Sequence, residues 1–156
     1  MKPELVPISR ATADTGLLKP VTIEMLQEIY KCELVTLAAH THTHKEVNSL
    51  SNAELSDEII KSDKFFKKYL NFIPQHFAYP RGAWNEAAEK MLSERYETIA
   101  LVGGGGVQPN LFNELRIPRV PILRSDGMFW FKHRIAGRLK LEEKLTAILT
   151  GRKSSY

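Results

Sequence analysis

The 156 residues contain a single cysteine, Cys32. That excludes an internal disulfide and any Cys-x-x-Cys metal or redox motif. The thiol follows a helical stretch and is expected to pack as a small apolar group. No window of 18 apolar residues exists, which argues against a membrane-spanning helix. The opening MKPELVPISR lacks the apolar stretch of a secretory signal, so the chain as written reads as cytoplasmic. Charge of one sign is not massed, since 22 basic residues stand against 18 acidic ones and the net charge is only +4. The densest basic patch, Lys61, Lys64, Lys67 and Lys68, falls at helical spacing. It reads as a solvated helix face, and no nucleic-acid partner is expected. Gly103–Gly106 lacks the Lys-Ser/Thr of a phosphate-binding loop and the spacing of a dinucleotide fingerprint, so it reads as a flexible turn. No nucleophile elbow and no Ser-His-Asp order is found.

What is present suits one domain with its own core, at 43% hydrophobic and 26% charged residues. Residues 1–20 hold three prolines and read as an irregular N-terminal segment, a loop or a short edge strand around Leu5–Ile8. Residues 21–150 form the domain proper, and 151–156 should fray. Thr22 can cap a helix over 23–31. Leu34–Ala39 reads as a buried strand. Ser51-Asn52-Ala53-Glu54 has the form of a capping box and opens a helix to Leu70, with Leu55, Ile59, Ile60, Phe66 and Leu70 facing inward and Pro74 blocking continuation. His76–Tyr79 is a strand, Asn85 caps a helix over 86–95, and Thr98–Val102 is a strand. Arg116–Leu123, with two prolines, suits an edge strand. Met128–Leu149 is helical with a break near Gly137. Strands alternating with helices predict an α/β fold with a parallel sheet or an incomplete barrel.

Three of the chain's five histidines, His40, His42 and His44, lie directly after the first apolar strand. Imidazole binds zinc well near neutral pH. In parallel α/β folds, ligands gather where strands end. His40 and His44 are four apart, so both can face one ion, whereas His42 projects differently and is the weaker candidate. The plainer reading, surface loop histidines, is disfavoured by the clustering. A second constellation, Phe77 to Asn85, also runs from a strand into a helix start. Arg81 offers a cationic fork, Gly82 permits close backbone approach, and Trp84 could stack on a sugar. Taken alone, this stretch reads rather as a plain turn and helix cap with Trp84 in the core.

At these two constellations the sequence resembles the polysaccharide deacetylase family, the NodB-homology or carbohydrate esterase family 4. Leu37 to His44 resembles its His-Ser/Thr-x-x-His zinc motif, and Ser49 through Glu58 the helix start that follows. Phe77-Ala78-Tyr79-Pro80-Arg81-Gly82 resembles its next motif, in the branch reading Tyr-Pro-x-Gly. Leu115 to Arg119 resembles a later strand, and the match runs from about Val21 to Leu123. The resemblance implies a distorted, TIM-barrel-like (β/α) fold. It also implies a metal-dependent hydrolase in carbohydrate metabolism, of the class acting on carbon–nitrogen, non-peptide bonds, that removes acetyl groups from an N-acetylated or O-acetylated polysaccharide with zinc or another divalent transition metal. By position, His40 and His44 would hold the metal, and Tyr79, Pro80, Arg81, Gly82 and Trp84 would line the substrate groove. Zinc, cobalt and nickel suit two imidazoles almost equally.

The family's first motif, Thr-Phe-Asp-Asp, has no match. Asp14 has no strand before it, and His133 lies in surroundings unlike the family's late Leu-x-His. The chain is therefore expected to lack the first strand of the barrel, together with the general base and one metal ligand. Activity should then be weak or absent, and the alternative is a non-catalytic carbohydrate-binding remnant. An exposed sheet edge predicts homodimerisation or poor solubility. The family often acts outside the cytoplasm, against the cytoplasmic reading above.

Overall fold

Four stretches of chain lie side by side and run in the same direction. The computed structural model describes residues 20–102, 113–122 and 127–136. At the centre, β1 (His76–Ala78) pairs in parallel with β2 (Thr98–Ala100), with Phe77 opposite Ile99. Outside β1, Ala39 forms a single parallel bridge to Phe77, and outside β2, Ile117 bridges to Ala100. Phe77 and Ile99 are almost wholly buried while their strand neighbours are half-buried, the period-two pattern of a short strand with its middle residue in the core.

The strand expected over Leu34–Ala39 shrinks to that one bridge. On this edge of β1, Ala39 alone is paired among the described residues. The Ala39 amide donates to His76 O and the Ala39 carbonyl accepts from the Ala78 amide, both at 2.9 Å. Leu34, expected to be buried, is 95% exposed. Arg116–Leu123 shortens likewise. The Ile117 amide donates to Ile99 O and its carbonyl accepts from the Leu101 amide, but Pro118 and Pro121 have no N–H with which to extend the ladder.

The helices follow their caps. α1 (Ile23–Tyr30) begins where the Thr22 hydroxyl accepts from the Met25 amide. α2 (Asn52–Leu70) begins at the Ser51–Glu54 capping box and ends at Asn71, whose left-handed backbone closes the last turn before Pro74 is reached. α3 (Glu86–Ser93) begins where Asn85 Oδ1 accepts from the Ala88 amide at 2.8 Å. α4 (Gly127–Ile135) is the part of the C-terminal helix that lies within the described residues. The buried stripe of α2 is Leu55, Glu58, Ile59, Ser62 and Leu70. Ile60, expected inward, is 48% exposed because it lies about 100° around the helix from Ile59. Cys32 is exposed and not packed.

Two forked ion pairs tie these layers together. Arg95 donates to both oxygens of Asp63 at 2.9 Å, joining the end of α3 to α2. Arg116 donates to both oxygens of Glu89 at 2.6 and 2.8 Å, joining the last bridged segment to α3. The architecture is thus mixed α/β with parallel pairing, and among the described residues no barrel closes. No helix among them is long and apolar enough to cross a membrane. The expectations for Leu5–Ile8, Asp14, Gly103–Gly106 and the chain beyond Gly137 lie outside the described residues.

Leu92 is wholly buried beneath the sheet. Leu92→Ala should cost about 2–5 kcal/mol, read as a lowered midpoint of urea unfolding with an unchanged slope.

Candidate functional site

Because all four bridged segments run in parallel, their C-terminal ends open on one edge. Ala39 leads there into His40, Ala78 into the 79–85 loop, Ala100 into Val102, and Ile117 into Arg119. His40 is the residue next to the bridge, and its Nδ1 lies 2.6 Å from Ala78 O. A carbonyl only accepts, so Nδ1 carries the proton and the Nε2 lone pair is left available. Partial burial pushes the His40 pKa below the ordinary 6.5. The Ala78 carbonyl opposes this, and the nearby His44 and Arg119 charges reinforce it. The ring is therefore neutral at pH 7, the form that binds a metal.

The imidazoles of His40 and His44 meet edge-on, with centroids 4.8 Å apart. The turn that achieves this is strained. Thr41 and His44 both have left-handed backbones, at φ 56° and 61°. For a β-branched residue such as Thr41 this is uncommon, and each such residue costs roughly 1–3 kcal/mol. Side chains offset the strain. The Thr41 hydroxyl donates to His40 O at 2.7 Å. Thr43 donates twice to the carboxylate of Glu58, from its amide at 2.7 Å and its hydroxyl at 2.6 Å. Burial alone would raise the Glu58 pKa. Hydrogen bonds from Thr43, and from the His42 amide, outweigh it and hold the group below the ordinary carboxylate value. His42 itself is exposed and contributes through its main chain.

The second loop lies against the first. Arg81 Nε is 3.5 Å from Glu46 Oε1, and Asn85 Nδ2 donates to Asn48 O at 3.4 Å. Arg81 and Gly82 are both left-handed, at φ 55° and 72°. A Cβ on Gly82 would lie 3.1 Å from Val102 Cβ and N, so the position needs glycine for conformation and for space. Tyr79 and Pro80, expected to line the groove, have fully buried side chains, which leaves their backbone to shape it. Burial, with Glu89 close by, pushes the Tyr79 phenol above the ordinary tyrosine range, against the opposing Arg116 charge. Its hydroxyl has no hydrogen-bond partner among the described residues. Trp84 packs against the core, with the Arg116 guanidinium 4.0 Å over its ring.

Two residues of the site were not singled out in the sequence. Glu58 announces itself only as an acid amid the apolar stripe of α2. Arg119 is fixed by its Nε donating to Leu101 O at 2.9 Å, close enough for its charge to be felt at His40. No cluster of three or more His, Cys, Asp or Glu that could hold a metal ion is found among the described residues. The donor set is thus two imidazoles, which fits part of a zinc site, since zinc sites ordinarily take three or more protein ligands.

Residues 11–96, more than half the chain, match the family model described as polysaccharide deacetylase. No curated protein sequence matches. Among solved structures, the Streptococcus pyogenes deacetylase PplD in complex with acetate aligns with a TM-score of 0.64 at 19% identity, covering 76% of this chain and 52% of that one. BA0330 from Bacillus anthracis and BC0361, a polysaccharide deacetylase from Bacillus cereus, each align with a TM-score of 0.60 at 18% identity, covering 73% of this chain and 36% of theirs. The chain therefore spans about half the length of the first of these and about a third of the others, and at these identities the likeness is one of fold.

Two outcomes are expected. Acidification below 6.5 protonates His40 in the unfolded chain before the folded one, so this group lowers stability on the acid side and is silent above. Imidazole NMR should place the folded midpoint below 6.5, and a midpoint at or above it would overturn the assignment. Gly82→Ala should lower the melting temperature, because it meets both the φ penalty and the Val102 contact.

Proposed function

The chain belongs to the polysaccharide deacetylase family, and on that premise we propose that it carries the metal-holding and groove-forming part of a hydrolase that removes acetyl groups from a polysaccharide. The observation that carries this reading is the His40–His44 pair at the sheet edge, with the His40 proton committed to Ala78 O. His40 Nε2 and the His44 ring would hold zinc or a similar divalent ion, with the Ala78 carbonyl fixing the His40 tautomer and ring plane. When bound, such an ion polarises an acyl carbonyl and makes water a nucleophile at neutral pH.

The protein's own part is positioning. In the 79–83 loop, the amides of Tyr79, Gly82 and Ala83 donate to Ala100 O, Tyr79 O and Pro80 O, and Pro80 has none. The Arg81 amide, without an acceptor among the described residues, is the donor that would face a developing oxyanion. The Arg81 side chain, largely exposed, would receive the sugar, with Gly82 letting the loop rest on Val102 and Trp84 at the rim. Acetate, which the PplD structure contains, is the product such a reaction would release.

The 156 residues have no match to the Asp-Asp motif, and without a general base turnover should fall by about 10²–10⁴-fold. The donor set of two also supports a second reading, a carbohydrate-binding remnant of the same fold.

Zinc per chain, measured in the purified protein and in a His40→Ala/His44→Ala variant, separates the two. Near-stoichiometric zinc that is lost in the variant is expected, with slow release of acetate from an N-acetylated oligosaccharide. Zinc in neither protein would sink the metal reading in favour of the remnant. Fast deacetylation would show that a base is present after all.

A further inference from the structure

Residues 40–45 make no main-chain to main-chain hydrogen bond among the described residues. The loop that carries the histidines is therefore shaped by side chains. Its first residue is tied to β1, and Thr41 secures the next turn through His40 O. The stretch between Thr41 and His44 is held from outside, by a residue on α2.

That residue is Glu58, 4% exposed on a helix face otherwise given to the core. Both its oxygens bond Thr43, whose amide meets Oε2 and whose hydroxyl meets Oε1, and the His42 amide adds to the hold. Bonds to an ionised carboxylate are short, strong and directional, so this fork fixes the Thr43 backbone in position and rotation. His44 is the next residue. Its left-handed backbone returns the imidazole towards His40, and a relaxed φ at that position would swing the ring elsewhere. A core helix has no need of a carboxylate at this point. A buried acid that serves only a loop is explained by what the loop must do.

We propose that Glu58 is a positioning residue for the His40–His44 pair, its carboxylate holding the loop in the conformation that brings the two imidazoles together. The inference deepens the metal-holding reading above and rests on it for its functional meaning. A residue needed for folding alone would alter stability while leaving the ring pair, and any affinity that depends on it, unchanged in the folded protein.

Two variants test this. Glu58→Gln removes the charge, and Thr43→Val removes the hydroxyl bond while keeping the amide bond. Two readouts are needed: the nuclear Overhauser effect between the His40 and His44 rings in the metal-free protein, and zinc affinity by chelator competition. Glu58→Gln should lose the ring contact and bind zinc at least about tenfold more weakly, the scale of effects from groups behind metal ligands. Thr43→Val should fall between it and the wild type. If Glu58→Gln folds and keeps both the ring contact and wild-type affinity, the inference is overturned. Should that variant fail to fold, the same result in Thr43→Val overturns it. A wild type that shows the ring contact but takes up no zinc would instead defeat the metal reading, and loss of the contact in Glu58→Gln would still sustain the positioning role.

Discussion

The site depends on the pairing of Ala39 with β1. Two main-chain hydrogen bonds set the register of that segment, and the next side chain along, His40, makes a third bond to the same strand at Ala78 O. The ladder therefore runs without a break into the imidazole. A slip of one residue would turn His40 to the opposite face and place Thr41 at the carbonyl. The parallel direction of all four bridged segments does the rest, because it delivers the histidine loop, the 79–85 loop and Arg119 to a common edge. Few hydrogen bonds hold the sheet, and the core behind it, with Phe77, Ile99 and Leu92 at its centre, supplies the stability that the short ladder cannot.

Much of this is legible in the sequence where its cause is local. Thr22, Ser51 with Glu54, and Asn85 each announce a helix start through their own side chains, and each is found capping where expected. The strands were legible in place but not in length. Leu34–Ala39 has the composition of a buried strand, yet how far it pairs depends on β1, distant in sequence, and of this segment only Ala39 is bridged to it. The same non-local limit hides Glu58. Nothing within a few residues of it indicates that its carboxylate is destined for Thr43, fifteen positions earlier. The histidine pair could be read because clustering is visible in one dimension. Arg119 could not, since its relation to His40 exists only after the sheet has formed.

Where burial and exposure depart from expectation, geometry explains the direction. Tyr79 and Pro80 sit in a motif that suggests a groove lining, and both are buried because the chain dives under the loop before Arg81 and Gly82 turn it outward. The two left-handed residues make that reversal within one turn, and the glycine allows the turn to rest against Val102.

Trp84 has a consequence of its own. An arginine anchored by Glu89 sits 4.0 Å over its ring, and part of the indole is committed to the core. At most one face is left to meet a ligand. The Glu89–Arg116 ion pair thus reaches beyond the two elements it joins, because loosening the arginine would uncover an indole face that is now covered.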